Sequence, residues 1–169
     1  MSLRLFHALC LLAFSGLAFE SAVAADEIAP LPGLDACLAT ALQQRPGVLF
    51  GWKSLSEPPD GSYRISVIGT DSRVAETVCS PASTTLRFDN RAVTRRYEYY
   101  KQMAVPEGDA RKTAPLIFAG TVRIVSMEID TDLKGGLRYE YRMLLQSGHR
   151  ALAQVDAMSG LLTYIEAKE

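Results

Sequence analysis

Eight short stretches of this chain, separated by turn residues, read as strands, and apolar and polar positions alternate with a period of two in the clearest of them, 62–68. The pattern predicts half-buried strands. In the first half it predicts strands over 48–55, 62–68, 74–79 and 84–88; Tyr63, Ile65 and Val67 alternate with polar partners in the second of these. Pro58-Pro59-Asp60-Gly61 and Gly69 to Asp71 mark the turns between them, since proline presets φ and glycine takes positive φ. In the second half the pattern predicts strands over 121–129, 137–145, 150–155 and 161–165, separated by Lys134-Gly135-Gly136, Ser147-Gly148 and Ser159-Gly160. Val122 and Ile124, with Ser126 in phase, share one face of the first of these.

A helix precedes each set. Leu34, Leu38, Ala41 and Leu42 recur at helical spacing behind Asp35 as a cap, and Pro46-Gly47 requires the helix to stop by Arg45. Asp109 is placed to cap the second helix, which Pro115 shortens or restarts. Between the halves, Val93, Tyr97, Tyr100 and Ala104 fit a helix stripe, while Val93, Tyr97 and Tyr99 fit strand alternation; both readings stand. Residues 105–108, with Pro106, read as a linker.

Matched landmarks recur in order. They lie 73 residues apart at the helix ends, 76 at Tyr63 and Tyr139, and 77 at Val78 and Val155. Ordered self-similarity with small drift is what a duplicated unit with loop insertions leaves behind. The expected fold is therefore α+β, with two tandem units, each a helix packed on an antiparallel sheet of three or four strands. The units would span 34–104 and 105–169, after a Pro-rich lead-in at 26–33.

Residues 1–25 have the form of a secretory signal peptide: Arg4, an uncharged apolar run from Leu5 to Phe19, and an A-x-A site at Ala22-Val23-Ala24. Cleavage near Ala24/Ala25 would deliver the chain to the periplasm or the outside. A run of about 15 apolar residues is short for a membrane span, so no membrane insertion is expected after cleavage. The net charge of −1 gives no footing for nucleic acid or anionic membrane. Hydrophobic residues make up 48% of the chain, enough to build a core. Beyond the signal stand two cysteines, Cys37 and Cys79. An even pair in an oxidising compartment predicts a disulfide, here stapling helix to sheet within the first unit.

The ordered set Tyr139-Glu140-Tyr141, Gly148, Val155-Asp156-Ala157 and Ser159-Gly160-Leu161-Leu162 resembles the PepSY domain family over residues 109–166. Asp156 and Gly160 carry the family's turn: the carboxylate accepts backbone N–H groups and the glycine supplies positive φ. The first half, 34–88, resembles the same unit more distantly, with Cys79 read in the place of Asp156 and Ser83 in that of Gly160. The resemblance implies an extracytoplasmic binding or regulatory domain, in some members one that restrains peptidases, without catalytic residues.

The residues offer little chemistry of their own. His149, the one histidine beyond the signal, reads as a turn residue; no nucleophile elbow accompanies it. One histidine and a bridged cysteine pair do not make a zinc set. Glu128, Asp130 and Asp132 lack the remaining ligands of a calcium loop. Arg96, Tyr97, Tyr99 and Tyr100, in a basic–aromatic run, are candidate contacts for a partner, because Tyr and Arg are favoured interface anchors. No cofactor and no enzymatic activity are expected. The reading is a secreted or periplasmic binding protein with a protein partner in the cell envelope; the alternative is a small-molecule carrier using a helix–sheet cleft.

Overall fold

Proline and glycine set the ends of the first helix. The computed structural model describes residues 28–57, 59–88, 93, 95–132 and 134–168; the signal peptide expected over 1–25 and the cleavage site expected after it lie outside them. Helix α1 covers Leu34–Gln44 and stops at Arg45, ahead of Pro46. Its N-cap is Gly33, at φ 75°, and Asp35 makes no cap: it lies in the first turn and pairs with Arg111. Helix α2 is one turn, Tyr97–Tyr100, which settles the open reading of that segment as helical there. Helix α3 covers Glu107–Thr113, with Pro106 as N-cap, so Asp109 falls inside the helix rather than ahead of it.

The strands are β1 Gly47–Ser54, β2 Tyr63–Gly69, β3 Val74–Ser80, β4 Ser83–Phe88, β5 Val122–Thr131, β6 Leu137–Leu145, β7 Arg150–Asp156 and β8 Leu162–Lys168. They form one eight-stranded antiparallel sheet in the order β4-β3-β2-β1-β5-β6-β7-β8. Two tandem helix-on-sheet units are thereby overturned. Each half is a meander that begins on an outer strand, and the two outer strands, β1 and β5, pair with each other. Joining them satisfies two rows of N–H and C=O groups that separate sheets would leave as open edges.

The seam is short: Gly51 faces Glu128, Trp52 faces Met127 and Lys53 faces Ser126. Both seam strands carry a bulge at the same place, at Phe50 in β1 and Val125 in β5. The second bulge turns Ser126 away from Ile124's face, so the shared face expected for Val122, Ile124 and Ser126 ends at Ile124.

Helices α1 and α3 cover one face of the sheet. Each buries residues at the same spacing, Leu34, Cys37 and Ala41 in the first half and Glu107, Ala110 and the C-cap Ala114 in the second. Against them lie Trp52, Tyr63, Ile65 and Val67 from β1 and β2, and Ile124, Met127, Tyr141 and Met143 from β5 and β6. At the end where β2 turns into β3 the opposite face is buried too, through Ile68 and Val74. There α2 is tied across the sheet end. The Tyr97 N–H donates to Ser72 Oγ at 2.9 Å, and the Tyr99 hydroxyl donates to the Gly135 carbonyl.

The register also corrects the matching of the two halves. Tyr63 faces Cys79 as Tyr139 faces Val155, so Cys79 corresponds to Val155 and Ser80 to Asp156. Ser80 Oγ accepts the Ser83 N–H at 3.1 Å, just as Asp156 Oδ1 accepts that of Ser159 at 2.7 Å. The first hairpin is the tighter one, with Ser80 facing Ser83 directly, and Gly160 has no counterpart in it.

Candidate functional site

Cys37 of α1 and Cys79 of β3 form a disulfide, with Cα atoms 5.9 Å apart and both residues buried. The bond fixes α1 to the outer part of the first half. In the aromatic run, Tyr100 is buried and meets the Phe50 ring edge-on at 5.3 Å. Tyr97 and Tyr99 are partly buried against the core, the Arg95 guanidinium lies 5.4 Å from the Tyr99 ring centre, and Arg96 is exposed. His149 is exposed in the β6–β7 hairpin.

The acidic run before the β5–β6 turn is spread over structural tasks. Glu128 is exposed, Asp130 pairs with Arg138 at 3.3 Å, and Asp132 Oδ1 accepts the N–H groups of Gly136 at 2.6 Å and Lys134 at 2.8 Å. The Gly136 N–H, helped by that of Lys134, holds the Asp132 carboxyl below its ordinary range. Asp156 is held low in the same way, by the Ser159 hydroxyl and then the Ser159 N–H. Gly160, at φ 73°, closes that turn. Among the described residues, no group of three or more His, Cys, Asp or Glu stands together as a metal set would.

Two features had no sequence signal. The first is a polar cluster inside the helix-covered face. Glu107, at the position that Leu34 holds in α1, is 9% exposed. Its Oε1 accepts the Trp52 indole N–H at 3.0 Å and stands 3.8 Å from Arg111 Nε. The Tyr141 hydroxyl donates to the Glu107 carbonyl at 3.1 Å, and Arg111 reaches on to Asp35 at 2.7 Å. Burial pushes the Glu107 carboxyl up; the Arg111 charge and the indole N–H pull against it. Burial likewise raises Tyr141, and raises Tyr139 to about 12. Tyr139 donates to the Val105 carbonyl at 2.7 Å, whereas its counterpart Tyr63, fully buried, has no hydrogen-bond partner among the described residues. An acid at the first position of a short helix reads as favourable to the helix dipole, which hides its burial from a sequence reading.

The second is the face of the sheet away from α1 and α3. Two hollows of about 610 and 680 Å³ open on it, across β1 and β5 to β8, and share Leu152 and Glu166. Leu144 and Leu152 give an apolar floor, and Lys53, Arg138 and Arg142 stand among Glu128, Asp132 and Glu140. Glu140 ties part of it together, accepting from Gln154 Nε2 at 3.1 Å and from Arg142 at 3.4 Å. Charge there is mixed rather than of one sign. Alongside runs the outer strand β8, where Tyr164 and Ile165 are exposed, as are Met158 and Leu161 in the turn before it. Among the described residues no helix is long and apolar enough to cross a membrane.

No protein-family model matches the chain, and no curated protein matches it. Among solved structures it is similar to the putative lipoprotein CD1622 of Clostridium difficile 630, with a TM-score of 0.50 at 10% identity, over 79% of this chain and 91% of that one. That likeness shows a shared fold. The Bacillus megaterium YpeB C-terminal domain aligns with a TM-score of 0.32 at 11% identity, over 85% of this chain and 67% of that one.

Proposed function

We propose that the chain is an extracytoplasmic, non-enzymatic binding protein of PepSY type, and that the open sheet face with the β8 edge takes a protein partner from the cell envelope. The observation that carries this reading is the uneven cover of the sheet: α1 and α3 pack on one face, while the other, beyond the end that α2 closes, keeps two hollows of mixed charge beside an outer strand with exposed Tyr164 and Ile165. A polyanion asks for a basic surface; charges of both signs around apolar floor suit a folded polypeptide. Among the described residues β8 is the outer strand, and such an edge offers backbone donors and acceptors that an extended partner segment can pair with.

The PepSY assignment rests on the ordered residues from Tyr139 to Leu162 and on the Asp156 turn, whose carboxylate accepts N–H groups as that motif requires. The buried Cys37–Cys79 bond favours an oxidising compartment, in keeping with a signal peptide over residues 1–25 and a periplasmic destination. Restraint of a peptidase is the regulatory role this assignment carries with it. Tyr97, Tyr99 and Tyr100 have internal contacts, which favours the open face over the aromatic run as the partner surface.

The test is capture from envelope extract on immobilised protein, wild type against the double variant Lys53→Glu, Arg142→Glu. A partner retained by the wild type and lost by the variant is the expected result. No partner above background, or equal capture by both proteins, would refute the reading.

A further inference from the structure

Glu107 is a buried carboxyl group at a place where the other half of the chain has Leu34. Four elements converge on it. From β1 comes the Trp52 indole N–H; from β6 the Tyr141 hydroxyl, with Tyr139 beside it; from its own helix Arg111; and from α1 Asp35, through Arg111. From β2 the unpartnered Tyr63 hydroxyl faces the same Arg111 and Asp35 charges. The contact joins the two halves, because Glu107 belongs to the second and Trp52 to the first.

We propose that Glu107 is a proton-operated latch: its carboxyl group holds α3 against the seam of the sheet, and uptake of one proton tightens that hold while its loss loosens it. In the tightened state the proton sits on Oε2 and Oε1 keeps the indole N–H. In the loosened state a full negative charge remains under α3. Among the described residues its cation is Arg111, 3.8 Å away and shared with Asp35 at 2.7 Å. An ionised carboxylate withdrawn from water is strongly disfavoured unless it is well paired, and a cation at that distance, shared with an exposed acid, pairs it incompletely. The direction follows. Burial raises the folded-state pKa of Glu107 above its unfolded value. The stabilisation is thus complete below the unfolded pKa and is lost as pH rises through the folded one.

The single tryptophan is a built-in reporter, since its N–H bonds the group that titrates. Trp52 emission is followed from about pH 4 to about pH 8, the range that brackets a carboxyl raised by burial. Hydrogen exchange of the α3 amides is measured at both ends, corrected for intrinsic rates. A one-proton step in emission, absent from Glu107→Gln, and α3 protection about tenfold greater on the acid side for each pKa unit gained are expected. Arg111→Met, which keeps the carboxyl and removes its cation, should move the step to higher pH. It keeps the test decisive if Glu107→Gln fails to fold. A flat wild-type profile, a step that survives Glu107→Gln, or a step unmoved in Arg111→Met would overturn the proposal.

Discussion

Trp52 and Met127 face each other directly across the β1–β5 seam, and each stands two residues beyond its own strand's bulge. The register is symmetric about this pair: Gly51 opposite Glu128 on one side, Lys53 opposite Ser126 on the other. Both side chains are buried under the helices. The centre of the core therefore lies on the boundary between the halves, and neither half encloses its own.

Unfolding should be a single cooperative event. Urea curves followed by Trp52 fluorescence and by far-UV circular dichroism are expected to coincide. Met127→Ala, which empties a fully buried site, should lower stability by about 2–4 kcal/mol in that one transition. Two separated transitions would show that the halves fold alone.

The cysteine bridge closes a loop with a sequence separation of 42. On the loop-entropy model, its removal by the double change Cys37→Ala, Cys79→Ala should cost about 4 kcal/mol. The urea midpoint measures the loss. Because both residues are buried, thiol reductants should act on the native protein only slowly, at the pace of local opening.

Acid should weaken the turns. Asp71 is held at about 2 by the Arg45 side chain and the Arg73 N–H, and Asp132 and Asp156 are also held low. Depressed carboxyls contribute stability that is present above their unfolded pKa and is lost as pH falls through the folded one. Denaturation midpoints should fall below about pH 4. Asp156→Ala, which removes the acceptor of the Met158 and Ser159 N–H groups, should lower stability by about 1–2 kcal/mol at neutral pH and flatten part of the acid limb.

Charge reversal on the open face should leave the fold intact. Arg142 pairs with Glu140 at 3.4 Å with a largely exposed side chain, and Lys53 is exposed. Exposed pairs contribute little. Lys53→Glu with Arg142→Glu should shift stability by no more than about 1 kcal/mol, so that lost capture in the binding experiment reports on the surface.

The local pattern was readable because each signal is local. Pro46 ended α1, the glycines at 135, 148 and 160 took the positive φ of their turns, and the runs between turn residues, alternating most clearly at 62–68, located the strands. What alternation does not encode is which edges meet. Gly51 and Ser126 carry no mark of pairing, and the bulges that seat Trp52 against Met127 arise only when β1 and β5 come together. The expected two sheets failed for that reason. Glu107 was missed because an acid in a first helical turn has an ordinary explanation, and only the packing of Trp52 and Tyr141 over it shows that it is buried.

The disulfide lies wholly within the first half of the molecule, and the second half has Ala110 and Val155 where the first has Cys37 and Cys79. The molecule therefore has a hard end and a soft end. Thermal fluctuations will peel it from the β8 side, beginning near the exposed Met158 and Leu161 turn, and a protease nick or a strand-exchanging partner will find its opening there first.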